Sequence, residues 1–308
     1  MPGPVPAPGR FGLGELGVPE LGREVVAAWD AFLDGVRDPS TDLSRPSRLS
    51  GWTGRETCIH LGNWDDSQVL EGILASARTG ALKEPPPPDR VSDLLVRAHR
   101  EATDEDVVGA LVQARERIAH FFAGGEAEET GRLLAGSAVG PLPVLSLVHA
   151  GTYELAVHTL DLAPCGAPPP APVLLDRGLA ALVDVTGALT ARAGIDVAIT
   201  AMTADGGWSC TSQAHSWSTG RVAAGPFDGV GVRGSAVDLL DVSAGRAGLP
   251  QLLVSRRLQV QQLPQWMRLA PLLDDVPGLP GGAALRAAVG GVSGVAGRVG
   301  RLLGQFRG

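Results

Sequence analysis

The sequence predicts an α+β protein in which an antiparallel four-helix bundle is followed by a smaller α+β domain. Three observations predict it. Apolar residues recur at three- and four-residue spacing through successive segments between about residues 20 and 163. A break over residues 164–172 places four prolines between Cys165 and Pro172. Beyond it, one more helical pattern gives way to short alternating runs separated by turn signals, the signature of strands.

In chain order, residues 1–19 form a Pro- and Gly-rich extension expected to be disordered. From Glu20 onward, Val25, Val26, Trp29, Phe32, Leu33 and Val36 mark one helical face, which Asp38-Pro39 ends. Thr53-Gly54-Arg55-Glu56 has the capping-box form and predicts a second helix through His60, Trp64 and Leu70 to about Arg78. Pro85 to Pro88 reads as a stiff connector. Helical patterns follow over 91–102 and, after Thr103, over 105–122. The last helix of the bundle starts at Pro141 or Pro143 and ends before Pro164. Four principal helices with connectors of varied length bury these faces most cheaply as an antiparallel bundle.

After the linker come a helix over about 174–193, an alternating run over 196–202, a turn at Ala204-Asp205-Gly206-Gly207 and a returning strand over 208–211. A short strand at 229–233, a helix capped at Ser235, a strand at 257–261 and a helix near Trp266 complete this half. The expected organisation is an extension (1–19), a helical bundle (20–163), a linker (164–172), an α+β domain (173–278) and a Gly/Ala-rich tail (279–308).

Composition excludes several classes. The chain has 308 residues, 44% hydrophobic and 19% charged, with a net charge of −7. It lacks the basic footprint that nucleic-acid binding needs. No run of eighteen apolar residues predicts a membrane span, and the N-terminus does not read as a secretory signal. Cys58, Cys165 and Cys210 are odd in number and form no CxxC pair, which predicts a reducing, cytoplasmic setting.

The chemistry concentrates in the last helix of the bundle. Glu154, His158 and Asp161 stand at i, i+4 and i+7 of an apolar pattern and so share one helical face. Ionisable groups on a packed face need partners, and a metal ion is a common partner for Glu with His. An open zinc-type site takes three protein ligands, two of which can lie four residues apart on one helix. His60 is the natural third candidate, because the second helix would present it inward with Asn63 and Ser67. His99, His120, His149 and His215 fit less well: a charged segment, a helix end beside two Phe, a different face and the second domain. Asp161 reads as a partner for a histidine N–H rather than as a ligand. Cys58, two residues from His60, reads as a small core residue.

At these residues the chain resembles a known family. Segment 50–61 (Ser-Gly-Trp-Thr-Gly-Arg-Glu-Thr-Cys-Ile-His-Leu), together with Glu154 to Asp161, resembles the mycothiol-dependent maleylpyruvate isomerase family. Its N-terminal part is a DinB-like four-helix bundle with a Gly-Trp-Thr turn before one histidine and a Glu-x-x-x-His-x-x-Asp helix. The resemblance covers roughly residues 20–163. The second half is similar, more weakly, to that family's sterol-carrier-like domain, through the segment 232–240 and Gly245-Arg246. The resemblance implies a divalent metal, zinc first, held by His60, Glu154 and His158, with mycothiol as thiol cosubstrate. It implies a small electrophilic metabolite as substrate, altered by cis-trans isomerisation or thiol S-transfer, with Asp161 in support and Arg246 or Arg233 supplying a cation for a carboxylate. A thiol-independent isomerase or cyclase on the same bundle and a hydrophobic-ligand binding module are the alternatives.

Overall fold

The computed structural model describes Gly12 and residues 17–82, 88–227 and 229–262, with Gln265, Trp266 and Leu269. The expectations for most of the N-terminal extension, for Pro85 to Pro87, for most of the segment around Trp266 and for the tail lie outside the described residues.

Helix α1 (Val18–Arg37) buries the face that the spacing predicts, including Val25, Trp29, Phe32, Leu33 and Val36. Helix α2 (Gly54–Leu61) opens on a complete capping box: Thr53 N–H donates to Glu56 Oε2 (2.7 Å), and Glu56 N–H donates to Thr53 Oγ1 (3.3 Å). The sequence predicts one helix from Thr53 to about Arg78, but the structure breaks it, and α3 (Val69–Thr79) starts afresh after a turn. Gly62 supplies the reason. A Cβ there would lie 2.8 Å from Trp64 Nε1 and 2.9 Å from Ala110 Cβ, so the chain can pass this close only as glycine. Asn63 N–H donates to Ala110 O (3.0 Å) and the Trp64 indole to Ile59 O (3.0 Å), which hold the exit in place. Consequently His60 sits in the last turn of α2.

Helix α4 (Pro88–Ala98) and α5 (Asp104–Ala123) follow, the latter with a second capping box between Thr103 and Asp106. A short α6 (Glu126–Thr130) and a two-residue antiparallel pair, β1 (Leu134–Ala135) with β2 (Leu142–Pro143), lead into α7 (Val144–Asp161). Helix α6 and this pair are too short to show a period in the sequence. Helix α7 is buried on nearly all sides, which explains its continuous apolar composition.

Helix α8 (Pro172–Arg192) begins on a proline at its first position, where the missing N–H costs nothing. It joins the two halves. Leu174 and Ala188 belong to the core of the helical domain, while Leu179, Ala180 and Val183 pack under the sheet. Arg177, 2% exposed, ties α8 to α1 through Glu24 and also pairs with Asp176 at 2.7 Å.

The sheet contains β3 (Val197–Met202), β4 (Gly207–Gln213), β5 (Ser216–Val222), β6 (Val230–Arg233) and β7 (Gln259–Gln261), in the order β5-β4-β3-β6-β7. All neighbours are antiparallel except β3 with β6, which are parallel. Strand β5 was not expected. Its turn uses Ala214 (φ 50°) and His215 (φ 63°) in the left-handed region, without the glycine that usually announces a two-residue hairpin. Helices α9 (Ala236–Ser243) and α10 (Leu249–Val254) lie between β6 and β7 in sequence. The chain is thus an α+β protein with an N-terminal helical domain and a sheet-containing C-terminal domain. Among the described residues, no helix is long and apolar enough to cross a membrane.

Candidate metal centre and its cavity

One helical turn separates Glu154 and His158, so α7 places their side chains together, and the last turn of α2 brings His60 to them. His158 Nε2 lies 3.4 Å and His60 Nε2 3.9 Å from Glu154 Oε2. The two imidazoles meet edge to face, with ring centroids 5.2 Å apart. One ligand atom from each residue lies within 4.8 Å of the others; among the described residues this is the trio of metal-ligating side chains that converges in this way. Donors at about 2.1 Å from a tetrahedral zinc are separated by roughly 3.4 Å, so the observed spacings need only small side-chain adjustments.

Both histidines are oriented from behind. His158 Nδ1 is 3.1 Å from Asp161 Oδ2, and His60 Nδ1 is 2.9 Å from the Ser92 hydroxyl on α4. Each ring therefore keeps Nε2 for the shared point, the arrangement metal-bound histidines adopt. Ser92 was missed from the sequence. It lies in a charged segment with no period toward the site, and only the packing of α4 onto α2 reveals it.

Asp161 is fully buried and carries more than His158. Arg246 donates from Nε to Asp161 Oδ1 (3.0 Å) and from Nη2 to Asp161 Oδ2 (3.0 Å), a two-point clamp from the second domain. Arg48 Nε lies 3.8 Å from Asp161 Oδ1, while its Nη2 donates to Asp241 Oδ1 at 2.8 Å. Arg233, the other arginine singled out from the sequence, stands elsewhere. Its guanidinium donates to the Gly225 carbonyl and lies 5.7 Å from the Phe227 ring centroid, and it is not part of the cavity wall.

The electrostatics follow from this packing. Burial alone would lower the pKa of His158, but its hydrogen bonds to Asp161 and Glu154, and their charges, lift it to about 9. Glu154 is half exposed, on the cavity wall, and the hydrogen bonds and charges of the two histidines hold its carboxyl far below the usual range. Burial would raise Asp161 as well, and His158 and Arg246 together keep it low.

The remaining histidines stay apart from the trio. His99 stacks on Trp64 at 4.0 Å and pairs with Asp66, and His215 Nδ1 is 3.2 Å from the Ala191 carbonyl. His149 is 1% exposed, and burial holds it neutral, with its pKa down to about 3.

His60, Glu154 and His158 open onto a cavity of about 780 Å³ lined by residues of α1, α2, α3, α4, α5, α7 and α8 and by Ala244, Arg246, Trp266 and Leu269. The trio can hold a dication, and the cavity can hold an organic molecule beside it.

Comparison with known proteins bears on the helical half first. The family described as mycothiol maleylpyruvate isomerase N-terminal domain matches residues 23–163. Among solved structures, a mycothiol-dependent maleylpyruvate isomerase is similar at 18% identity and a TM-score of 0.49, covering 76% of this chain and 91% of that one. A histidine-to-alanine mutant of such an isomerase is similar at 17% identity and a TM-score of 0.47, covering 80% and 94%. No curated protein matches. The helical domain formed by residues 23–163, with the trio His60, Glu154 and His158 inside it, belongs to the mycothiol maleylpyruvate isomerase N-terminal domain family.

Proposed function

We propose that this chain is a metal- and mycothiol-dependent enzyme that isomerises a small electrophilic metabolite or transfers a thiol to it. His60, Glu154 and His158 hold the dication, zinc first, because two imidazoles and one carboxylate suit it and leave a fourth position free. The observation that carries the reading is the convergence of two Nε2 atoms and a carboxylate oxygen, drawn from two helices, within 4.8 Å.

A bound dication there supplies acidification of a thiol, making thiolate available near neutral pH. The protein's own groups prepare that position. Asp161 fixes the ring of His158 and favours the tautomer with Nδ1 protonated, and the Ser92 hydroxyl does the same for His60. Arg246 keeps Asp161 ionised and in place, so we assign it a positioning role rather than the role of cation for a substrate carboxylate. The apolar walls exclude water from the reacting atoms.

The test is elemental analysis of the purified full chain against His60→Ala. About one dication per chain is expected in the parent, with most of it lost in the variant, since three protein ligands fall to two. Sub-stoichiometric metal in the parent after dialysis against zinc at neutral pH would overturn it.

A further inference from the structure

The walls of the cavity narrow the substrate class. At about 780 Å³ it falls in the range, roughly 300–1,000 Å³, that encloses a drug-sized ligand. Its surface beyond the metal centre is chiefly hydrocarbon: Leu182, Val185 and Leu189 from α8, Leu147 from α7, Ile73 from α3, and Trp266.

Cations in that wall are already engaged. Arg246 is clamped onto Asp161 by two hydrogen bonds, and its Nη1 donates to Ala244 O at 3.0 Å. Arg117 is held by Glu71 and Glu126, its Nη2 donating to them at 3.0 and 2.9 Å, while its Nη1, without a partner, is buried out of reach of a ligand. Among the described lining residues, each arginine thus already faces a carboxylate. A dication on two neutral histidines and one carboxylate carries one net positive charge, enough for one anionic group, which the thiol would use. A further carboxylate would enter an apolar cavity without a partner and lose its hydration uncompensated.

From this combination of size, hydrocarbon walls and arginines already paired with carboxylates, we infer that the substrate is an uncharged, largely apolar conjugated carbonyl compound rather than a small dicarboxylate. The inference rests on the reading of the site as metal- and thiol-dependent, but it is tested by binding, without turnover. Isothermal titration calorimetry with the full chain, zinc-loaded and metal-free, compares benzylideneacetone as the apolar enone with maleate as the dicarboxylate, no thiol being present. The enone is expected to bind at least tenfold tighter than maleate, and Val185→Trp is expected to weaken it at least tenfold with zinc content unchanged. Leu182→Phe, a smaller intrusion into the same wall, stands in if the tryptophan variant does not fold. Maleate binding as tightly as the enone, or enone binding indifferent to the wall variants, overturns the inference. Enone binding by a chain that takes up no zinc would sink the proposed function and leave this cavity assignment standing; a zinc-loaded chain that prefers maleate does the reverse.

Discussion

His158 is the most constrained residue of the site, caught between Glu154 on the cavity side and fully buried Asp161 behind it. In the metal-free chain it is therefore a cation at neutral pH, lifted to about 9 from an ordinary 6.5. Because the folded value lies above the unfolded one, the stabilisation is complete below about pH 6.5 and is lost as pH rises through 9. Urea unfolding of metal-free protein should show stability falling by on the order of 2 kcal/mol across that window. A flat profile would mean that the triad of charges is not formed without metal. Metal binding takes the neutral ring, so loading at pH 7 should release protons from this residue. At the same scale, the spacing of Glu154, His158 and Asp161 is legible in the sequence because helix geometry is local. The approach of His60 and Ser92 is not, since both arrive through tertiary packing.

At the scale of elements, the site depends on where α2 stops. The capping box at Thr53 sets its start, and Gly62 sets its end two residues after His60. An eight-residue helix has little margin of its own. Thr53→Ala should cost ~1 kcal/mol of global stability in thermal or denaturant unfolding. If His60 is held as described, zinc affinity should fall as well; unchanged affinity would show that the helix frays without moving the ligand. The long periodic helices α1, α5, α7 and α8 are readable from the sequence because each buries a stripe of apolar side chains. The break after Leu61 is not, because apolar spacing resumes in phase at Leu70 and Leu74 and hides the glycine that must pass Ala110. Strand β5 escapes for a different reason: Trp217 is its one buried residue, which leaves no apolar alternation to read, and its turn lacks glycine.

Across the whole molecule, α8 and Arg246 join the two halves at the site. Helix α8 gives one face to the helical core and another to the sheet, so the sheet is carried on the bundle by shared apolar packing. Arg246 adds a charged clamp onto Asp161, and through it onto His158. Arg246→Ala, although outside the helical domain, should weaken zinc binding about tenfold, as removal of outer-shell partners commonly does. Equal affinity in a competition assay against a chromogenic chelator would remove the second domain from the account of the metal centre. That the two halves follow one another in this order is visible in the sequence from the proline-rich break. The reach of Arg246 back to Asp161 is not, because nothing local links residues that far apart in the chain. The central claim, a dication gripped by two imidazoles and one carboxylate, is tested most directly by zinc X-ray absorption spectroscopy of the loaded full chain without thiol. The account predicts a nitrogen and oxygen shell at about 2.0–2.2 Å with the outer-shell scattering of two imidazoles. Sulfur at about 2.3 Å in that sample, or no imidazole scattering, would contradict it.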